Sequence, residues 1–346
     1  MTKLGFLSTF SKAATALGIT GLVTASLIAG VGAAQAKIRI AWQTGDVQTI
    51  LQYADGAGLF REAGLDYSLH AFPAGPAILP ALAAKEVDIG WFGEFPTITG
   101  YANGIPLAVF LIDQSFSEHV RLVASPESGI KTLADLKGKK IGVTFGSTSH
   151  HHILVALAQA GLRAEEVTLV NLAPGQIPAA YTAKQIDAAF TWEPNIAKLE
   201  EQGGVRIATT ASLKNSTYGV WASRTEFLNG NKEDIQKFLG AWDKAVAKLA
   251  SAPDEVLKYE AKRLEKNPDE IRALVARQKI VRPSYKEQLT AAYLGEPGKA
   301  KDGAFVKHAQ NIGAFLLSLE RIKTLPSDWS GLVDQQPLID YLKSHP

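Results

Sequence analysis

The sequence predicts an α/β protein built on largely parallel strands, and three observations carry that reading. Short β-branched apolar runs alternate with longer stretches of helical periodicity, which is the pattern of strand–helix–strand units. Polar or glycine-containing turns repeatedly follow a strand and open a helix, at residues 43–46, 74–76, 93–96 and 146–149. The chain has 346 residues, 46% of them apolar, enough for two domains with cores of their own.

Residues 1–36 stand apart. Lys3 and Lys12 lie in a basic first segment, residues 13–31 are mostly small or apolar, and Ala34-Gln35-Ala36 precedes Lys37. This is the pattern of a secretory signal peptide cleaved after Ala36, with a periplasm as the natural destination. Its removal leaves 34 basic and 34 acidic residues, a balance that argues against a nucleic-acid partner. The chain has no cysteine. Disulfides, thiol catalysis, cysteine metal sites and lipoprotein anchoring are thereby excluded, and a mature chain of about 310 residues buries a core without cross-links.

In chain order, residues 37–43 form a strand with Ile38, Ile40 and Trp42 on one face. A helix over 47–63 stops at Gly64, a second strand spans 65–72, and Pro76 sits near the first position of the next helix. A third strand over 87–92 runs into Gly93-Glu94-Phe95-Pro96 and a helix ended by Gly104, followed by a strand at 107–112. After a change of register at 114–119 come strands at 120–125 and 141–145, a helix ending at Gly161, and a strand at 220–223. Amphipathic helices over 234–251, 253–264, 268–278 and 305–319 complete the chain. In parallel sheets ligands collect outside the carboxyl ends of the strands, so the four turns face one site.

The turn Gly146-Ser147-Thr148-Ser149 carries the clearest chemistry. A serine there caps the helix, or else the free N–H groups of the first helical turn, with the positive end of the dipole, hold an anion. His150-His151-His152 follows, but successive helical residues point about 100° apart, so three neighbours cannot meet one metal ion. His119 reads as an isolated structural residue.

Three stretches carry a resemblance. Lys-Thr-Leu-Ala-Asp-Leu-Lys-Gly-Lys-Lys-Ile-Gly-Val at 131–143 resembles the opening of the second lobe in type II periplasmic solute-binding proteins of ABC importers. Residues 81–90 and 179–194 resemble the helix–strand junctions of their two lobes, and the nearest branch is that of taurine and aliphatic sulfonates. The resemblance implies a two-lobe type II periplasmic binding protein fold with a ligand cleft between the lobes. Residues 37–119 and 222–346 would form lobe 1, and residues 120–221 lobe 2. It further implies a monomer that needs no cofactor, closes over a small sulfonate and delivers it to an inner-membrane permease. Nitrate, betaine or pyrimidine-precursor binding, or an enzyme on the same fold, are the alternatives. The related enzymes depend on cysteine and iron, whereas this chain has no cysteine.

The site residues expected from the turns and the resemblance are Gln43, Gly75, Pro76, Glu94, Phe95, Ser147, Thr148, Ser149, Trp192, Glu193 and Trp221. Gln43 offers an amide, Gly75 a close backbone N–H, residues 147–149 hydroxyls at a helix N-terminus, and Phe95, Trp192 and Trp221 walls. The resemblance leads one to expect an acidic partner for taurine's amine near Trp221, where Gly219 stands instead. Glu94 either supplies that charge or points outward to another partner, and Glu193 poses the same question.

Overall fold

The computed structural model describes residues 38–345; the predicted leader lies outside them. Eleven strands make up two sheets among the described residues: β1 Ile38–Gln43, β2 Tyr67–Phe72, β3 Ile89–Gly93, β4 Leu107–Phe116, β5 Val120–Ala124, β6 Lys140–Val143, β7 Thr168–Asn171, β8 Ala188–Trp192, β9 Val205–Thr209, β10 Tyr218–Arg224 and β11 Ile280–Val281. The six-stranded sheet has the order β11-β4-β10-β3-β1-β2, and the five-stranded sheet β7-β6-β8-β5-β9. Each sheet is the centre of one lobe.

The sheets are mixed rather than wholly parallel. β1 runs parallel to β2 and β3, and β6 parallel to β7 and β8. β5 and β10 run antiparallel to their neighbours. The reason is geometric. Both strands begin where the chain has just crossed between lobes, so they enter their sheets from the end at which the parallel strands finish. Val120 lies opposite Trp192, and Gly219 opposite Gly93.

This placement moves one predicted boundary. β10 is hydrogen-bonded into the first sheet from Tyr218 onward, so the chain returns within residues 210–217 and not at Trp221. The two crossing segments lie side by side. Phe116 N–H donates to Thr217 O at 3.1 Å, Ala211 N–H to Ser117 O at 2.9 Å and Thr210 N–H to Val120 O at 3.2 Å.

The predicted helix at 47–63 is two helices, Thr49–Gly56 and Leu59–Glu62, because Gly58 adopts φ 85° between them. The amphipathic C-terminal stretches form Lys232–Ser251, Pro253–Leu264, Pro268–Arg277 and Ala304–Ser318. The helices Lys232–Ser251 and Ala304–Ser318 pack on the first sheet, with Phe238 and Trp242 stacked 5.7 Å apart and both packed edge-on against Trp221, while Ile271 and Leu274 of Pro268–Arg277 pack on Leu257, Ala261 and Ala197. In the second lobe the strand alternation sorts residues to two faces. Val120, Leu122, Phe190 and Trp192 pack on one side, and Val123 and Ala189 on the other.

Phe238 is fully buried and also stacks on Phe60 at 5.5 Å. Phe238→Ala is expected to lower the unfolding free energy by about 3–5 kcal/mol, measured by urea denaturation, because no neighbour can refill an aromatic-lined void.

Candidate functional site

Three helices begin at the ends of parallel strands and turn their N-termini toward the space between the lobes. They are Gly75–Ala83 after β2, Glu94–Ala102 after β3, and Thr148–Gln159 after β6. Each leaves first-turn N–H groups without intrahelical partners. Their fates differ, and the difference defines the site.

At the first helix the need is met internally. Gly75 N–H donates to Gln43 Oε1 at 2.6 Å, and Pro76 has no N–H to satisfy. A side chain at residue 75 would stand 2.8 Å from Phe92 Cβ, so the approach requires glycine. At the second helix the buried Glu94 carboxyl accepts Tyr218 N–H through Oε2 at 3.0 Å.

The third helix remains open. Ser147 occupies the N-cap position, yet its side chain makes no capping bond. The hydroxyl donates instead to Thr144 O at 2.6 Å and pairs with Ser149 Oγ at 2.8 Å. Among the described residues no acceptor serves the N–H groups of Thr148 and Ser149, and the buried Thr148 Oγ1 has no hydrogen-bond partner. Ser147 and Thr148 line a cavity between the lobes.

The rest of the lining comes from both lobes. Trp91, Phe116 and Trp192 supply apolar walls, and Gln43, Asp46, His119 and Thr217 add polar groups. Trp192 Nε1–H donates to Gly45 O at 2.8 Å, a bond across the cleft that fixes one wall. Trp91 is held by Nε1–H to Asp113 Oδ2 at 2.9 Å. Asp46 accepts Val47 N–H through Oδ1 at 2.6 Å, while Oδ2 lies 3.4 Å from His119 Nε2. His119 is buried against the Phe116 ring, and its Nδ1 has no partner. No lysine or arginine lines the cavity, so backbone N–H groups, hydroxyls and the helix dipole are what it offers an anion.

Of the expected residues, the structure brings Gln43, Gly75, Pro76, Ser147, Thr148 and Trp192 to this cavity. The others lie elsewhere. Trp221 is fully buried in the first lobe's core against Phe238 and Trp242 and forms no cleft wall. Phe95 stacks on His151 at 5.1 Å between the lobes, beside the cavity and not in it. Ser149 is buried behind Ser147. Glu94 is buried with no cation beside it, and burial pushes its carboxyl up to about 8, so at neutral pH it is mostly uncharged and no counter-ion for an ammonium group. Glu193 is enclosed by Arg121 Nη2 at 3.1 Å and Arg277 Nε at 3.5 Å and accepts Ala197 N–H at 3.1 Å, which gives it a structural task.

The three histidines each have separate surroundings. His150 Nδ1 accepts Gly146 N–H at 3.2 Å, and His151 lies on the Phe95 ring. His152 donates from Nδ1 to Thr148 O at 2.8 Å and accepts from Thr217 Oγ1 at Nε2 at 3.1 Å. Burial pushes all three imidazoles below their usual value, to about 4 for His150 and His152, which keeps them neutral. Residues that sequence reasoning passed over are Asp46, Trp91, His119 and Thr217. Asp46 ended a turn already singled out, and its carboxylate was the available signal. Thr217 and His119 sit on the crossing segments, whose path no local pattern gives.

The NMT1/THI5 like family matches this sequence over residues 47–256. The chain belongs to that family. Among relatives, an Escherichia coli protein named for aliphatic sulfonates binding is 30% identical over 247 residues, covering 71% of this chain and 77% of its own length. The taurine-binding periplasmic protein of Escherichia coli is 30% identical over 224 residues, covering 64% and 69%. Among solved structures, the alkanesulfonate-binding protein SsuA from Xanthomonas axonopodis pv. citri, bound to MOPS, superposes with a TM-score of 0.66 at 23% identity. The match covers 88% of this chain and 98% of that one. This NMT1/THI5 like chain therefore has the two-lobe periplasmic-binding-protein fold, with the cavity where the lobes meet.

Removing Glu193 leaves the fully buried Arg121 with Glu200 as its one remaining carboxylate partner. Glu193→Ala is expected to lower the unfolding free energy by about 3–5 kcal/mol, checked by denaturant titration.

Proposed function

We propose that this protein is the exported solute-binding component of an ABC importer, that it captures a small sulfonate, and that taurine or a related aminosulfonate is its ligand. The observation that carries the proposal is the unsatisfied N-terminus of the helix Thr148–Gln159, with the free Thr148 hydroxyl, at a cavity walled by Trp91 and Trp192. A sulfonate has three oxygens and one delocalised charge, and such a terminus satisfies them without a lysine or arginine. The names of the relatives support the same ligand class.

In this reading Asp46 takes the role first considered for Glu94. Its carboxylate lines the cavity, and the ammonium of an aminosulfonate would meet Oδ2 beside the His119 ring. The apolar walls enclose the short carbon chain between the two charged ends. Ligand contacts with residues of both lobes stabilise the closed form, which the inner-membrane permease recognises. The protein makes and breaks no bond, works as a monomer in the periplasm after its leader is cut at Ala36, and has no nucleic-acid partner.

Taurine and ethanesulfonate are expected to raise the melting temperature of the mature protein and to give saturable heats in calorimetry. Nitrate or pyrimidine precursors acting in their place would overturn the sulfonate assignment. Asp46→Asn is expected to weaken taurine by about 10- to 100-fold, the worth of a hydrogen bond to a charged group. It is expected to change ethanesulfonate affinity by no more than about threefold, since that ligand has no ammonium to lose a partner.

A further inference from the structure

Glu94 is a buried ionisable group to which the binding reading gives no task. It is the first residue of the helix Glu94–Ala102 and fully enclosed at the seam between the lobes. Across the seam stands Thr148, packed so closely that a side chain at Gly93 would meet Thr148 Oγ1 at 2.3 Å. Glu94 Oε2 is occupied by Tyr218 N–H, but Oε1 has no hydrogen bond, and neither has Thr148 Oγ1. The Glu94 carboxyl and the Thr148 hydroxyl are thus buried neighbours that interact across the seam.

No positive charge compensates this carboxyl. The titratable groups around it are Tyr218 on β10, His151 and His152 on the helix Thr148–Gln159, and His308 on the helix Ala304–Ser318. Burial pushes the imidazoles down and the Tyr218 phenol up, so all are uncharged near neutrality. Asp113 on β4 is taken up by Trp91 and Arg282. A carboxyl in such surroundings favours its neutral form, whereas water in an opened cleft restores the ordinary carboxylate.

The protonation state decides what Thr148 shows the cavity. A neutral acid donates its O–H to Thr148 Oγ1, and the hydroxyl's own hydrogen is then free for a ligand oxygen. An ionised carboxylate takes that hydrogen for itself, turning a lone pair toward the cavity and placing a negative charge behind the anion site. We propose that closure over an anionic ligand takes up one proton from solvent on Glu94, and that the resulting neutral acid aims the Thr148 hydroxyl hydrogen at the ligand. Glu94 is thus a positioning residue. The inference rests on the sulfonate reading only for the identity of its ligand.

The test uses the mature protein and ethanesulfonate, whose charge is constant over the range examined, with calorimetry in buffers of different ionisation enthalpy. Near pH 6.5 about one proton is expected to be taken up per ligand bound. Affinity is expected to fall about tenfold per pH unit from near 5 toward 8, because the bound state holds the extra proton through that window. Glu94→Gln, whose amide donates to Thr148 at every pH, is expected to show no proton uptake and a flat affinity from pH 6 to 8. Wild-type binding without proton uptake, or the same pH slope in the variant, overturns the proposal. If ethanesulfonate and taurine both fail to bind, the sulfonate reading has failed instead. The ligand identified by screening then replaces ethanesulfonate in the same comparison, and the proton count decides Glu94 independently.

Discussion

The amide N–H groups that a helix cannot satisfy at its own start govern this molecule. The strand–helix units after β2, β3 and β6 deliver such groups to the cleft, where burial without a partner is costly. The protein answers in three ways. A side-chain amide from β1 takes up the helix after β2, the carboxyl that opens the helix after β3 accepts Tyr218 N–H from β10, and the helix after β6 keeps its first N–H groups unserved among the described residues. The three ends differ in which of their polar groups find a partner inside the protein.

Around that end the two lobes meet through polar contacts that are few and directional. The indole of Trp192 reaches Gly45, and the carboxylate of Asp46 reaches His119 on a crossing segment. The Arg121–Glu193–Arg277–Glu200 cluster ties the second sheet to the helix Pro268–Arg277 near the same crossings. The cavity wall and the crossing segments therefore share residues, among them His119 and Thr217.

The alternation of strands and helices was legible because buried strands and amphipathic helices each write a period into the sequence. The turns at Gly75 and at Ser147 and Thr148 were legible for a related reason, since strand-to-helix turns in such sheets face one side. What local pattern could not give was the destination of polar and aromatic side chains after folding. Trp221 looked like a wall, but its alternation in β10 points it at Phe238 and Trp242, which come later in the chain. Glu193 looked like a cleft carboxylate, but its partners Arg121 and Arg277 lie 72 positions before and 84 after it. Ser147 looked like a cap, and the competing acceptor at Thr144 O diverted its hydroxyl. The antiparallel entry of β5 and β10 was hidden as well, because it follows from the crossings and not from either strand's composition.

The insertion of β10 between β3 and β4 also imposes an order on assembly. β3 and β4 are neighbours in sequence, yet neither bonds the other; the strand between them is made after the whole second lobe. The second lobe's sheet, contiguous from residue 120 to residue 209, therefore lies wholly ahead of the strand that joins β3 to β4 in the first. The first half of the chain must wait with an open seam until Arg224 has emerged, and its non-local pairing makes that closure a slow step. The lobe that begins the protein is the last to finish.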